Sequence, residues 1–199
     1  MMIEQHPKRE SGDERRLAIA AAARALIAEK GLEGLRTRDI AAAVGINIAT
    51  LHYHVPSKEA LIALVAESMR HDFRTQYHRN SRAGKNALEQ LHMEFADFRE
   101  TTTDMPDLII ILTELVERAR RDAAIAEIVL PMHQFWRNQF TEIFQLGLSD
   151  GSFRSDLEPE AAAMLTTGAL ADCWRRPDTT PQLLDAAFAE LERAFISRS

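Results

Sequence analysis

The sequence predicts an all-α protein, a small N-terminal three-helix unit followed by a larger helical body, about nine helices in all. Three observations predict it. Apolar residues recur every three to four positions along almost the whole chain, the spacing of one helix face. No stretch alternates with the period of two that a half-buried strand requires. The 199 residues include only 8 Gly and 7 Pro, too few for a turn-rich sandwich or barrel.

The elements follow in order. Residues 1–12 are polar and read as a flexible tail. A first helix, about 13–30, places Ile19, Ala22, Ala23, Leu26 and Ile27 on one stripe and stops at Gly31. A short second helix carries Ile40, Ala41 and Val44, and Gly45 ends it. The third, about 48–54, has Asn47 as its N-cap. Pro56 breaks it, and Ser57 caps a fourth helix that turns Leu61, Leu64, Val65, Met69 and Phe73 inward and reaches about His78. After the polar turn 80–84, a fifth helix sets Leu88, Leu91, Phe95 and Phe98 on one face. Residues 101–107 are expected as a connector, and a sixth helix as covering 108–120. The seventh, about 123–148, contains Pro131, which removes a backbone donor and predicts a kink. An eighth helix starts near Glu158-Pro159-Glu160, and a ninth covers about 181–196.

The segment Leu35-Arg36-Thr37-Arg38-Asp39-Ile40-Ala41-Ala42-Ala43-Val44-Gly45-Ile46-Asn47-Ile48-Ala49-Thr50-Leu51-His52-Tyr53-His54-Val55-Pro56-Ser57-Lys58 carries the functional signal. Two short helices flank a glycine that permits a left-handed backbone, Ala41 allows close helix–helix approach, and Ile40, Val44, Ile46, Leu51 and Val55 supply a miniature core. That is the pattern of a helix-turn-helix, whose second helix enters the major groove of DNA. In the Ala-rich first helix, Glu29-Lys30-Gly31, Arg38-Asp39-Ile40-Ala41, Val44-Gly45, Thr50-Leu51 and His54-Val55-Pro56-Ser57-Lys58, the chain resembles the TetR family of bacterial transcription regulators over about residues 15–62. More loosely, Arg118-Ala119-Arg120-Arg121-Asp122, Phe135-Trp136-Arg137 and Gly151 to Ala162 resemble one C-terminal type of that family.

The resemblance implies a DNA-binding head over 13–58 and a ligand-binding, dimer-forming body over 59–199. It assigns DNA contacts to Thr37, Arg38, Asn47, Ile48, Ala49, Thr50, His52, Tyr53, His54 and Lys58. Arg38 would meet a base edge or phosphate, Ile48 and Ala49 base edges, and Thr37, Thr50, Tyr53 and Lys58 phosphate oxygens. Three residues depart from the family pattern. His52 replaces a usual Tyr, Ile48 a commonly polar side chain that could read a base, and Arg36 a small hydroxyl N-cap, so that Thr37 is expected to cap one residue later.

The net charge of −6 hides a polarity. Residues 1–85 hold 14 Lys+Arg against 10 Asp+Glu, a net +4, and residues 86–199 hold 10 against 20, a net −10. A basic head on an acidic body fits double-stranded DNA as a partner of the head alone. The single cysteine, Cys173, excludes an intrachain disulfide and a multi-cysteine zinc site, and no cofactor or metal motif occurs; His52 and His54, two apart on a helix, point away from each other. The polar start lacks a signal peptide's apolar core, and the longest aliphatic stretch, around 108–112, is too short for a bilayer, so a cytoplasmic, membrane-free chain is expected.

All nine Phe and both Trp lie from Phe73 onward. Met93, Phe98, Leu112, Met132, Phe135, Trp136, Met164 and Thr167 are candidates to line an apolar effector pocket, with His92, Glu114 and His133 as further polar anchors. Trp174, Leu184, Phe188 and Leu191 are candidates for a homodimer interface. The expected function is a ligand-responsive repressor released from a palindromic operator by a small apolar or amphipathic effector. The other reading, a helical small-molecule binder or enzyme that keeps the head only as scaffold, lacks any nucleophile–base pair in the sequence.

Overall fold

The computed structural model describes residues 12–176 and 178–197. The tail expected over 1–12 lies outside the described residues except for Gly12, which opens the first helix. Nine α-helices and no strand occur among the described residues. They are α1 Gly12–Lys30, α2 Thr37–Val44, α3 Ile48–His54, α4 Lys58–Arg79, α5 Ala87–Asp104, α6 Pro106–Ala119, α7 Ala123–Asp150, α8 Pro159–Arg175 and α9 Pro181–Phe195. A 3₁₀ turn, Leu32–Gly34, joins α1 to the segment before α2. Packing divides the chain into one compact unit up to His71 and a second from Asp72. The division falls inside α4, whose Leu61, Ile62, Leu64, Val65, Ala66 and Met69 are buried.

The first unit has a core of small aliphatics: Ile19, Ala23, Ile27, Ile40, Ala41, Leu51 and Val55 are all buried. α1 packs against both α2 and α3. Gly45 has φ 72°, ψ 33°, and its amide and that of Ile46 close α2 on Ala41 and Ala42 carbonyls. A side chain here would be strained by the left-handed backbone alone. The Arg16 Nη1 group donates to the His54 carbonyl at 3.1 Å and so ties the end of α3 to α1.

The second unit is built around α7, which packs against α5, α6 and α8, while α8 packs on α9. Its core joins Leu91, Phe95, Phe98, Phe140, Phe144, Phe153, Leu184, Phe188 and Phe195. Asn86 and Glu89 form a reciprocal capping box at the start of α5, and Asp150 at the end of α7 accepts from the Ala87 amide at 2.8 Å. Two expectations change. The connector over 101–107 shrinks to Met105, because α5 runs on to Asp104 and Pro106 takes the first position of α6, where its missing N–H costs nothing. α7 continues as one helix through Pro131 to Asp150, two residues beyond the expected end. The loop after α7 closes on the end of α9 through an antiparallel bridge, Phe153–Ile196, with Arg154 N–H donating to Phe195 O at 3.0 Å. Phe153 lies so close over Gly147 that a Cβ there would fall 1.9 Å from its ring.

Candidate nucleic-acid interface and candidate effector site

Asn47 starts α3 in extended conformation, and its side-chain oxygen accepts the Thr50 amide at 2.7 Å. That bond fixes the entry of α3 and commits the Asn47 carbonyl oxygen to capping. Thr37 does not take the capping role expected of it. Arg36 occupies the N-cap of α2 without a side-chain hydrogen bond, and Thr37 is the first helical residue. Ser57 caps α4 by accepting from the Ala60 amide at 3.1 Å.

These caps turn one set of side chains outward. Thr37, Arg38, Asn47, Ile48, Ala49, His52, Tyr53 and Lys58 are exposed, and Thr50 and His54 are half-buried. Tyr53 is 83% exposed and Ile48 48%, high for large apolar residues and free of any role in the core. A surface groove of about 390 Å³ brings Thr37, Arg38 and Lys58 together with Leu35, Arg36 and Leu61. Arg36, not among the contacts expected from the sequence, lines this groove with Arg38 and Lys58, so three cations share it. The signal was the Arg36-Thr37-Arg38 run itself. Asp39 pairs with Arg38 Nε at 3.4 Å and orients the guanidinium without burying it. The chemistry offered is that of a phosphate-facing surface with an apolar tip at Ile48. No group of three or more metal-ligating side chains occurs among the described residues.

In the second unit the candidates separate. Phe98, Leu112, Met132 and Thr167 are buried, and Met93 and Trp136 half-buried. Phe135 and Met164 lie on the surface of the chain, 59% and 56% exposed, because their positions face away from α7's and α8's packed sides. The Thr167 hydroxyl donates to Ala163 O of its own helix at 2.8 Å, so it is spent locally instead of aiming at a ligand. His92 pairs with Glu192 at 2.8 Å on the surface. Of the interface candidates, Leu184 and Phe188 are core residues of the single chain, and Trp174 and Leu191 pack half-buried against that core. The exposed apolar residues of α8 and α9 are instead Met164, Leu165 and Leu183.

The structure assembles an aromatic wall. Phe98 and Trp174 are parallel with centroids 5.0 Å apart, and Trp174 and Trp136 likewise at 5.1 Å. Phe188 meets Phe98 edge-on at 6.1 Å, and His133 meets Trp136 edge-on at 6.0 Å. Burial lowers the His133 pKa, and the positive charges of Arg137 and Arg175 lower it further. Trp174 Nε1 and Arg137 Nε are buried without an acceptor among the described residues. Sequence reasoning missed Arg137 and Arg175, and nothing in the spacing separates them from surface arginines.

A further polar cluster is buried where α4 and α5 meet. Arg82 bonds Glu94 at 2.7 Å and Asp97 at 2.8 Å, its guanidinium lies 3.7 Å over the Tyr77 ring, and Gln76 donates to Asp97 O at 2.9 Å. Burial pushes the Glu94 carboxyl up to about 7 against the opposing pull of Arg82, and raises Asp97 as well.

The chain is similar in sequence and in fold to known proteins. The sequence model for bacterial regulatory proteins, tetR family, matches residues 19–65. The HTH-type transcriptional repressor KstR2 of Rhodococcus jostii strain RHA1 is 27% identical over 168 residues, which cover 82% of this chain and 80% of the relative. A TetR-family transcriptional regulator from Agrobacterium tumefaciens superposes with a TM-score of 0.81 at 17% identity, over 94% of this chain and all of the other. A transcriptional regulator from Saccharomonospora viridis, solved in complex with choline, gives 0.79 at 21% identity with the same coverage.

Proposed function

The chain belongs to the TetR family of bacterial regulatory proteins, and from that premise we propose that it is a repressor whose two heads, in a homodimer, read a pseudo-palindromic operator and let go when a small effector enters the body. The reading rests on one observation above all: the exposed face formed by the start of α2, the whole of α3 and the start of α4, with Arg36, Arg38 and Lys58 gathered at one groove and Ile48 and Tyr53 left in solvent. Side chains of this size stay exposed at a cost unless a partner covers them. A duplex supplies phosphates for the cations and a thymine methyl for Ile48. The Rhodococcus jostii relative is named a transcriptional repressor, which favours repression over activation.

Two heads on successive major grooves would be separated by roughly 34–36 Å. Pairing through α8 and α9 is supported by the exposed Met164, Leu165 and Leu183, and by Gly168, which leaves open space for a close neighbour. The effector acts by binding one arrangement of the dimer better than the other, and the ratio of the two affinities sets how far the operator is released.

A gel-shift titration over DNA upstream of the gene is the test. A salt-sensitive, site-specific complex at nanomolar protein is expected. Arg38→Ala should lose about 1–3 kcal/mol of preference for the operator, whereas Lys58→Ala should weaken specific and random DNA alike and reduce the salt slope by about one. Binding that does not distinguish operator from random DNA defeats the reading.

A further inference from the structure

The aromatic wall and the cations beside it carry an inference about what the body binds, which rests on reading that body as the effector-binding half. We propose that Phe98, Trp136 and Trp174, with His133, Arg137 and Arg175, form one site for an organic anion: a flat apolar ring system that ends in a carboxylate, its rings against the indoles and its carboxylate on Arg137.

His133 and Arg137 stand four residues apart on α7 and so share a face, and Trp136 lies on the same turn. The His133 ring touches Trp136, Trp136 stacks on Trp174, and Arg175 follows Trp174 at the end of α8. Arg137 and Arg175 are close enough to His133 to disfavour its proton. Three cationic or potentially cationic groups therefore converge on one end of the wall. They do so in a body whose net charge over 86–199 is −10, where carboxylates to neutralise them are abundant. Yet Arg175 has only an exposed and distant partner, Glu117 at 3.9 Å, and Arg137 makes no ion pair among the described residues.

Arg137 Nε and Trp174 Nε1 are the second observation. Each is a donor taken out of water and given no acceptor. Native proteins rarely leave such groups orphaned, and a ligand is one of the ordinary explanations. A carboxylate satisfies a guanidinium with charge and directed hydrogen bonds at once. The ring faces also suit a cation, since their negative faces attract one. Here the neighbouring guanidiniums oppose it, which separates this site from one built for a quaternary ammonium ligand such as choline.

The test is isothermal titration calorimetry on the full chain with three probes of one shape: 2-naphthoate, its neutral amide 2-naphthamide, and (2-naphthylmethyl)trimethylammonium. The carboxylate should bind at least tenfold more tightly than the amide, and the cation most weakly. Arg137→Gln should remove the preference for the carboxylate over the amide, with an unaltered thermal melt; Arg137→Lys should keep part of the preference. Equal affinities, tighter binding of the cation, or no heat from any probe at millimolar concentration overturns the proposal. Adding 2-naphthoate to the operator complex separates the two readings. Charge-selective binding that leaves the DNA complex intact upholds the anion site and counts against release by an effector there.

Discussion

The two units solve opposite problems with different residues. The first buries Ile, Leu, Val and Ala and turns its chemistry outward; the one aromatic residue before Phe73, Tyr53, is 83% exposed. The second buries aromatics and turns chemistry inward: Arg82, Glu94 and Asp97 in one place, Arg137 and the Trp174 indole in another. A short unit made of small side chains packs tightly with few choices, and its surface is then free to be read by DNA. The body of large rings instead leaves two buried donors, Arg137 Nε and Trp174 Nε1, without an acceptor among the described residues.

The contrast can be broken most forcefully at Arg82. Arg82→Ala strands two buried carboxylates and should cost about 3–5 kcal/mol of the second unit's stability at pH 8, read by urea unfolding. The cost should be smaller at pH 5, where the carboxylates take up protons. An equal loss at both values would mean that the ion pairs are not what Arg82 contributes. Next is Gly147→Ala, which drives a methyl into the Phe153 ring and should cost about 1–3 kcal/mol.

The third concerns pH. Glu94 is raised from 4.5 to about 7, so between these values the folded chain holds a proton that the unfolded chain has released. Its contribution to stability is complete below about pH 4.5 and is lost as pH rises through 7. The melting temperature should therefore fall from pH 5 to pH 8, and Glu94→Gln should flatten that slope; Asp97, raised for the same reason, leaves a remainder. The smallest effect on stability belongs to the head. Tyr53→Ala should change the melting free energy by no more than about 0.5 kcal/mol while it weakens operator binding in a gel shift.

The head was legible because its meaning is local. Gly45, Asn47 and Ser57 declare a turn and two caps within a dozen residues, and the outward face follows from the helical period. The body was legible as helices but not as a site, because periodicity gives a face without telling what the face meets. Leu183 is 50% exposed and its neighbour Leu184 4%; Phe135 is 59% exposed while Trp136 beside it joins the aromatic stack. One residue advances a helix by about 100°, so an error of a single position in phase moves a side chain from core to surface. The bridge between Phe153 and Ile196 joins residues far apart in sequence and left no local mark.

The chain's two indoles, Trp136 and Trp174, stand nearly parallel within a single wall, and the head has none. Emission excited selectively at the indoles, beyond the absorption of Tyr53, therefore reports on the body alone, and two coupled chromophores should give a near-ultraviolet dichroism that vanishes when the wall opens. A heated sample could keep that signal while its DNA-reading end has already melted, or lose it on ligand entry with the helices intact. The molecule thus comes with its own optical gauge of one half, blind to the other.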